Sequence, residues 1–128
     1  MSAPTILMVD DDPHILMPLE FLMFKHGFEV FVARNGTEAL DIIEKNTPDI
    51  VLLDIMMPDV DGYQICAHIK AQPRLNNTAV VFMSAKSNQD DISKGYELGA
   101  ALYVTKPFST RELVKKILDM VKGKNKSG

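Results

Sequence analysis

Five short apolar runs, each followed by a segment with helical spacing of its apolar residues, restrict this chain to very few folds. The runs occupy residues 5–10, 28–33, 50–54, 79–84 and 102–105. The first, third and fourth are apolar at successive positions, the pattern of strands covered on both faces. The intervening segments, at about 13–26, 37–46, 61–71, 88–98 and from 109 onward, carry apolar residues at three- and four-residue intervals. Pro13 suits a first helical turn, whereas Pro18 deletes one backbone hydrogen bond and predicts a kink or a late helix start. Gly27 and Gly99 read as helix stops, and Ser87 with Asp90 and Ser109 with Glu112 as capping boxes. Five βα units imply a parallel sheet with right-handed crossovers and helices on both faces.

With 128 residues the chain forms one domain with a real core. A net charge of −3 argues against a nucleic-acid or membrane surface as the main partner. No stretch reaches the length of a membrane span, and the N-terminus lacks a basic region before its apolar block. Cys66 has no second cysteine to pair with, which fits a reducing, cytoplasmic setting. The domain is expected over residues 1–122, with the polar, basic segment 123–128 a frayed tail or linker stub.

In such sheets ligands bind beyond the carboxyl ends of the strands, where strand order reverses. Asp10, Asp11 and Asp12 follow the first run, Asp54 ends the third, Ser84 ends the fourth and Lys106 follows the fifth. Carboxylates converging on one crevice repel, and a hard divalent cation relieves that repulsion; Mg²⁺ takes one or two carboxylates together with phosphate oxygens. Lys106 is the matching counter-charge for a phosphoryl oxygen, and Lys106-Pro107 is a candidate cis peptide. Asp12, directly before Pro13, reads instead as a helix N-cap. Ser84 by itself reads equally well as a turn residue.

Val9-Asp10-Asp11-Asp12-Pro13, Leu53-Asp54-Ile55-Met56-Met57-Pro58 with Asp61-Gly62, Met83-Ser84-Ala85-Lys86 and Thr105-Lys106-Pro107-Phe108 together resemble the receiver domain of two-component response regulators. The resemblance spans roughly residues 5–121. It implies a flavodoxin-like doubly wound sheet of five parallel strands in order 2-1-3-4-5 with five helices. It implies that Asp54 accepts a phosphoryl group from a sensor histidine kinase or histidine phosphotransfer protein. Asp11, Asp54 and the backbone carbonyl of Met56 would ligate Mg²⁺, with Asp10 acting through a water. Ser84 would hydrogen-bond the phosphoryl group, Lys106 would pair with it, and Tyr103 would be the aromatic switch, turning inward as Ser84 moves. The surface of helix four, strand five and helix five would then engage a downstream output domain or protein, or form a homodimer. Such a domain assists its own phosphorylation and dephosphorylation but is not a turnover enzyme.

Some positions depart from the family pattern. Ala101 and Leu102 stand where acidic residues are frequent. Met56 offers only its backbone and cannot orient an attacking water, and Lys86 borders the same approach; both bear on phosphate lifetime. His14, His26 and His68 lack a metal-ligand spacing. Cys66, Tyr63, Tyr96 and the methionines read as packing residues. Three competing readings share features with this one. A haloacid-dehalogenase-like phosphatase would use the Asp10/Asp12 spacing, a phosphorylation-independent module would use the fold alone, and a flavin carrier would need a phosphate loop that does not follow the first run.

Overall fold

The computed structural model describes residues 3–127. Five strands, β1 (Thr5–Val9), β2 (Glu29–Ala33), β3 (Ile50–Asp54), β4 (Ala79–Ser84) and β5 (Leu102–Thr105), alternate with α1 (Pro13–Lys25), α2 (Gly36–Lys45), α3 (Gly62–Lys70), α4 (Gln89–Glu97) and α5 (Thr110–Ser127). The strands form one parallel sheet in the order β2-β1-β3-β4-β5. β1 and β3 are therefore neighbours although α1, β2 and α2 lie between them in sequence. The chain reverses direction across the sheet there, which opens a crevice above their carboxyl ends.

Alternation along the central strands divides the core in two. Leu7, Val9, Val51, Leu53, Val80 and Phe82 pack with residues of α2 and α3 on one face. Ile6, Met8, Ile50, Leu52, Val81 and Met83 pack against α1 and α5 on the other. All five residues of β3 are buried, so Asp54 at its end is a carboxylate held within an otherwise apolar strand. The register Leu53↔Phe82 and Phe82↔Tyr103 lines up one row across β3, β4 and β5. In that row Phe82 meets Tyr63 edge-on at 5.4 Å and Tyr103 at 6.1 Å between ring centroids.

Local chemistry accounts for the helix ends. The Asp12 side chain accepts from the His14 N–H at 2.9 Å and caps α1. Asp61 and Gln64 form a reciprocal capping box on α3. Gly27 and Gly99 take φ values of +88° and +104°, the left-handed conformation that stops α1 and α4. Other details differ from the expectations. α1 starts at Pro13 and continues through Pro18 to Lys25, so there is no late start. The cap of α4 is Asn88, whose side chain accepts from the Asp91 N–H at 2.9 Å, and not Ser87 with Asp90. An amide oxygen caps as well as a hydroxyl, and Asn88 stands one residue closer to the helix. A 3-10 turn at Pro73–Leu75, absent from the periodicity, seats Leu75 in the core. α5 extends to Ser127, beyond the boundary expected near residue 122, and Gly128 lies outside the described residues.

Two substitutions probe this packing. Phe82→Ala removes the ring at the centre of the aromatic row and is expected to cost about 3–5 kcal/mol in urea unfolding. At Gly62 an added Cβ would lie 2.7 Å from the Asp54 carbonyl oxygen and 2.7 Å from Ile55 Cα, both backbone atoms. Gly62→Ala is therefore expected to cost about 1–3 kcal/mol, measured in the same way.

Candidate functional site

The carboxyl ends of β1, β3 and β5 bring the predicted residues to one place. Asp10 follows β1 with no solvent exposure, Asp54 ends β3 nearly as deep, and Asp11 faces outward. One carboxylate oxygen from each of Asp10, Asp11 and Asp54 falls within 4.8 Å of the others. The Lys106 ammonium donates to Asp10 Oδ2 at 2.8 Å and lies 3.5 Å from Asp54 Oδ2. The lysine's backbone N–H donates to the Ser84 carbonyl at 2.8 Å, and the Lys106-Pro107 bond is cis, as expected. Asp10 also accepts from the Asp12 N–H at 3.0 Å, and Asp54 from the Met56 N–H at 3.2 Å.

Burial raises the Asp54 pKa from 3.8 to about 6. The charge of Asp10 adds to that rise, and Lys106 opposes it. For Lys106 burial works against the charged form, but its hydrogen bond to Asp10 and the charge of Asp54 outweigh that, and its pKa is raised. The net effect is a cationic Lys106 beside an Asp54 carboxyl that holds its proton more tightly than usual. Oxygen donors on a crowded, partly open rim are the donor set of a hard divalent cation, so the residues present fit Mg²⁺.

Ser84 is fully buried at the end of β4, and its Oγ accepts from the Lys86 N–H at 3.0 Å. Tyr103 is also buried, its hydroxyl donating to the Lys86 carbonyl at 2.8 Å. The ring is thus already inside and tied to the loop after β4. Tyr96 is 45% exposed, and its hydroxyl accepts from the Tyr103 N–H at 3.1 Å, a role beyond packing. Tyr63 is buried as expected, donates to the Asp91 carbonyl at 3.0 Å and lies beneath the Lys94 ammonium. Its burial pushes the phenol up to about 12. Met56 is 58% exposed beside the site, in an open depression of about 340 Å³ shared with Ile55, Met57, Asp61 and Lys86.

Sequence reasoning passed over Asp59. Its carboxylate accepts from the N–H groups of Gly36 and Thr37 and from the Thr37 hydroxyl, so it joins the loop after β3 to α2. An aspartate between Pro58 and the capping Asp61 reads as an ordinary turn residue. Its partners are 22 and 23 residues away, and nothing local signals them.

The response regulator receiver domain family matches residues 6–118. A putative response regulator from Chloroflexus aurantiacus is 33% identical, with a TM-score of 0.85 over 94% of this chain and 99% of that one. A CheY-like receiver domain protein from Methanospirillum hungatei is 28% identical, with a TM-score of 0.89 over 99% of this chain and 100% of that one. The signal receiver domain of a histidine kinase from Syntrophus aciditrophicus is 30% identical, with a TM-score of 0.84 over 94% and 92%. With that match over most of its length, the chain belongs to the response regulator receiver domain family. The family is one of phosphoacceptor signalling domains that work with histidine kinases and output domains and bind Mg²⁺ in an acidic pocket. Among the described residues no helix is long and apolar enough to cross a membrane.

The raised Asp54 pKa predicts a pH dependence of stability in metal-free protein. Between about pH 4 and about pH 6 the native state keeps a proton that the unfolded chain has released. Stability from this group is therefore full below 3.8 and declines as the pH rises through about 6. Denaturant midpoints should fall across that window in the wild type. In Asp54→Asn the slope should flatten, leaving the variant the more stable protein above pH 6.

Proposed function

We propose that this protein is a phosphorylation-controlled switch whose acceptor is Asp54. The observation carrying the reading is the Lys106 ammonium held 2.8 Å from Asp10 and 3.5 Å from Asp54 in the crevice that also gathers Asp11. In the transfer step an Asp54 carboxylate oxygen attacks the phosphorus of a phosphohistidine on a sensor kinase or histidine phosphotransfer protein. The P–N bond breaks, its electron pair stays on the imidazole nitrogen, and an acyl phosphate remains on Asp54. Phosphoryl transfer is dominated by positioning and by neutralisation of the phosphoryl oxygens. Lys106 supplies a fixed cation for one oxygen, and Ser84 a hydroxyl donor for another.

Asp11, Asp54 and the Met56 carbonyl are the direct Mg²⁺ ligands in this reading, with Asp10 acting through a water. When bound, the ion adds positive charge against the phosphoryl oxygens. Asp10 also keeps Lys106 in place before the phosphoryl group arrives. Once Asp54 is phosphorylated, Lys106 gains a stronger partner in the phosphoryl oxygens than the Asp54 carboxylate they replace. Ser84 follows the phosphoryl group and carries the Lys86 backbone with it, and Tyr103, bonded to the Lys86 carbonyl, reports that movement to α4, β5 and α5. A near-complete switch needs about 5.5 kcal/mol of preference for the active arrangement. That surface is where an output domain, a downstream protein or a second copy docks. The receiver unit in this reading is the βα domain through α5, and the setting is the cytoplasm.

The phosphatase alternative needs Asp12 as a second acid, but its carboxylate is engaged in capping α1. A receiver labels itself once and does not turn over phosphomonoesters. Incubation with acetyl phosphate and Mg²⁺ should add one phosphoryl group by intact mass to the wild type and none to Asp54→Ala. Equal labelling of both would end the reading. Met56→Asn should hasten decay of the phosphorylated form several-fold by orienting a water, and Lys86→Ala should change it by altering that water's access. Decay rates equal to wild type in both would remove these two residues from control of the lifetime.

A further inference from the structure

Met56 belongs to the loop between β3 and α3, and its carbonyl can serve a metal only if that loop is held still. The loop is anchored at its ends, where the Ile55 N–H donates to the Met83 carbonyl at 3.2 Å and the Gly62 N–H to the Ile55 carbonyl at 2.9 Å. Between those anchors, Met56 and Val60 donate only to Asp54 and Asp59. Met57 and Val60 also pack against the core, but among the described residues the hydrogen bonds that tie 56–60 to any element other than β3 are all made by Asp59. Its Oδ1 accepts from the Gly36 N–H at 2.9 Å, and its Oδ2 accepts from the Thr37 N–H at 3.0 Å and the Thr37 hydroxyl at 2.8 Å.

The first turn of α2 is built to receive this carboxylate. A helix start presents unpaired N–H groups and a partial positive charge. Asn35 satisfies the Glu38 N–H at 2.9 Å, which leaves those of Gly36 and Thr37 to Asp59. The fit is close, because a Cβ on Gly36 would lie 2.5 Å from Val60 Cβ. The hydrogen bond from Gly36, followed by those from Thr37, holds the Asp59 carboxyl far below the usual carboxylate range.

We propose that Asp59 is a positioning residue for the metal site: it clamps the loop after β3 to the start of α2 and thereby holds the Met56 carbonyl where it can ligate a divalent cation. This inference rests on the proposed Mg²⁺ role of Met56 and extends it to a residue that touches neither metal nor phosphoryl group. Groups that orient metal ligands typically change affinity by about 10–100-fold when removed. α2 then contributes to the site although none of its side chains lies there.

The test is Mg²⁺ binding by isothermal titration calorimetry to wild type, Asp59→Ala and Thr37→Val, alongside hydrogen exchange of the metal-free proteins. Thr37→Val deletes one donor to the clamp without altering charge. Asp59→Ala should weaken Mg²⁺ about tenfold or more, and Thr37→Val less. Exchange should rise in segment 56–60 without the cation, while melting temperatures stay near wild type. A long-range charge effect would fade at high salt, whereas a positioning effect persists at about 1 M salt. Affinities within twofold of wild type in both variants, or a loss that disappears at high salt, would overturn the clamp while leaving the phosphoacceptor reading intact. Wild type that neither binds Mg²⁺ nor takes a phosphoryl group would remove both. Should Asp59→Ala fail to fold, Thr37→Val decides alone.

Discussion

One half-buried ammonium organises this protein's carboxyl-end crevice. Lys106 reaches from the end of β5 across to Asp10 beyond β1 and Asp54 on β3, joining three strands that share no turn. Without it, two carboxylates nearly sealed from solvent would face each other with no counter-charge nearby. Such an arrangement is expensive to bury, and it drives one acid to stay protonated. With it, Asp54 retains a raised pKa, so the site still carries electrostatic tension in its resting form. That tension would be relieved by further positive charge in the crevice, which is the physical ground for the proposed cation site.

The scaffold makes this tension affordable through burial elsewhere. β1, β3 and β4 are apolar on both faces, and two separate cores sandwich the sheet. The aromatic row Tyr63, Phe82 and Tyr103 runs directly beneath the loops that would respond to chemistry at Asp54. Tyr103 connects the two levels, with its ring in that row and its hydroxyl on the Lys86 carbonyl. Its backbone N–H donates to the Tyr96 hydroxyl of α4, so hydrogen bonds link the loop after β4 to both β5 and α4.

Much of this was legible from residue order alone. Apolar runs on both faces indicated central parallel strands, and the acids and lysine at strand ends indicated a crevice, because both signals are local. Gly27, Gly99 and Asp12 could be read for the same reason, since each acts on the turn it occupies. What escaped was long-range or degenerate. Asp59 bonds to residues 22 and 23 positions away, and the cap of α4 falls on Asn88, one residue past the expected Ser87. The 3-10 turn at Pro73–Leu75 is too short to show a period. The inward placement of Tyr103 depends on packing against Phe82, which no spacing encodes.

In the proposed reaction the carboxylate of residue 54, and no neighbouring acid, becomes an acyl phosphate. Borohydride reduces an acyl phosphate to the corresponding alcohol and leaves free carboxylates alone, so it converts a phosphorylated aspartate to homoserine. Treating the phosphorylated protein this way and sequencing its peptides by mass spectrometry should place homoserine at position 54 and nowhere else. Homoserine at position 10, 11 or 12, or none at any aspartate of a protein that has gained a phosphoryl group, would contradict the account.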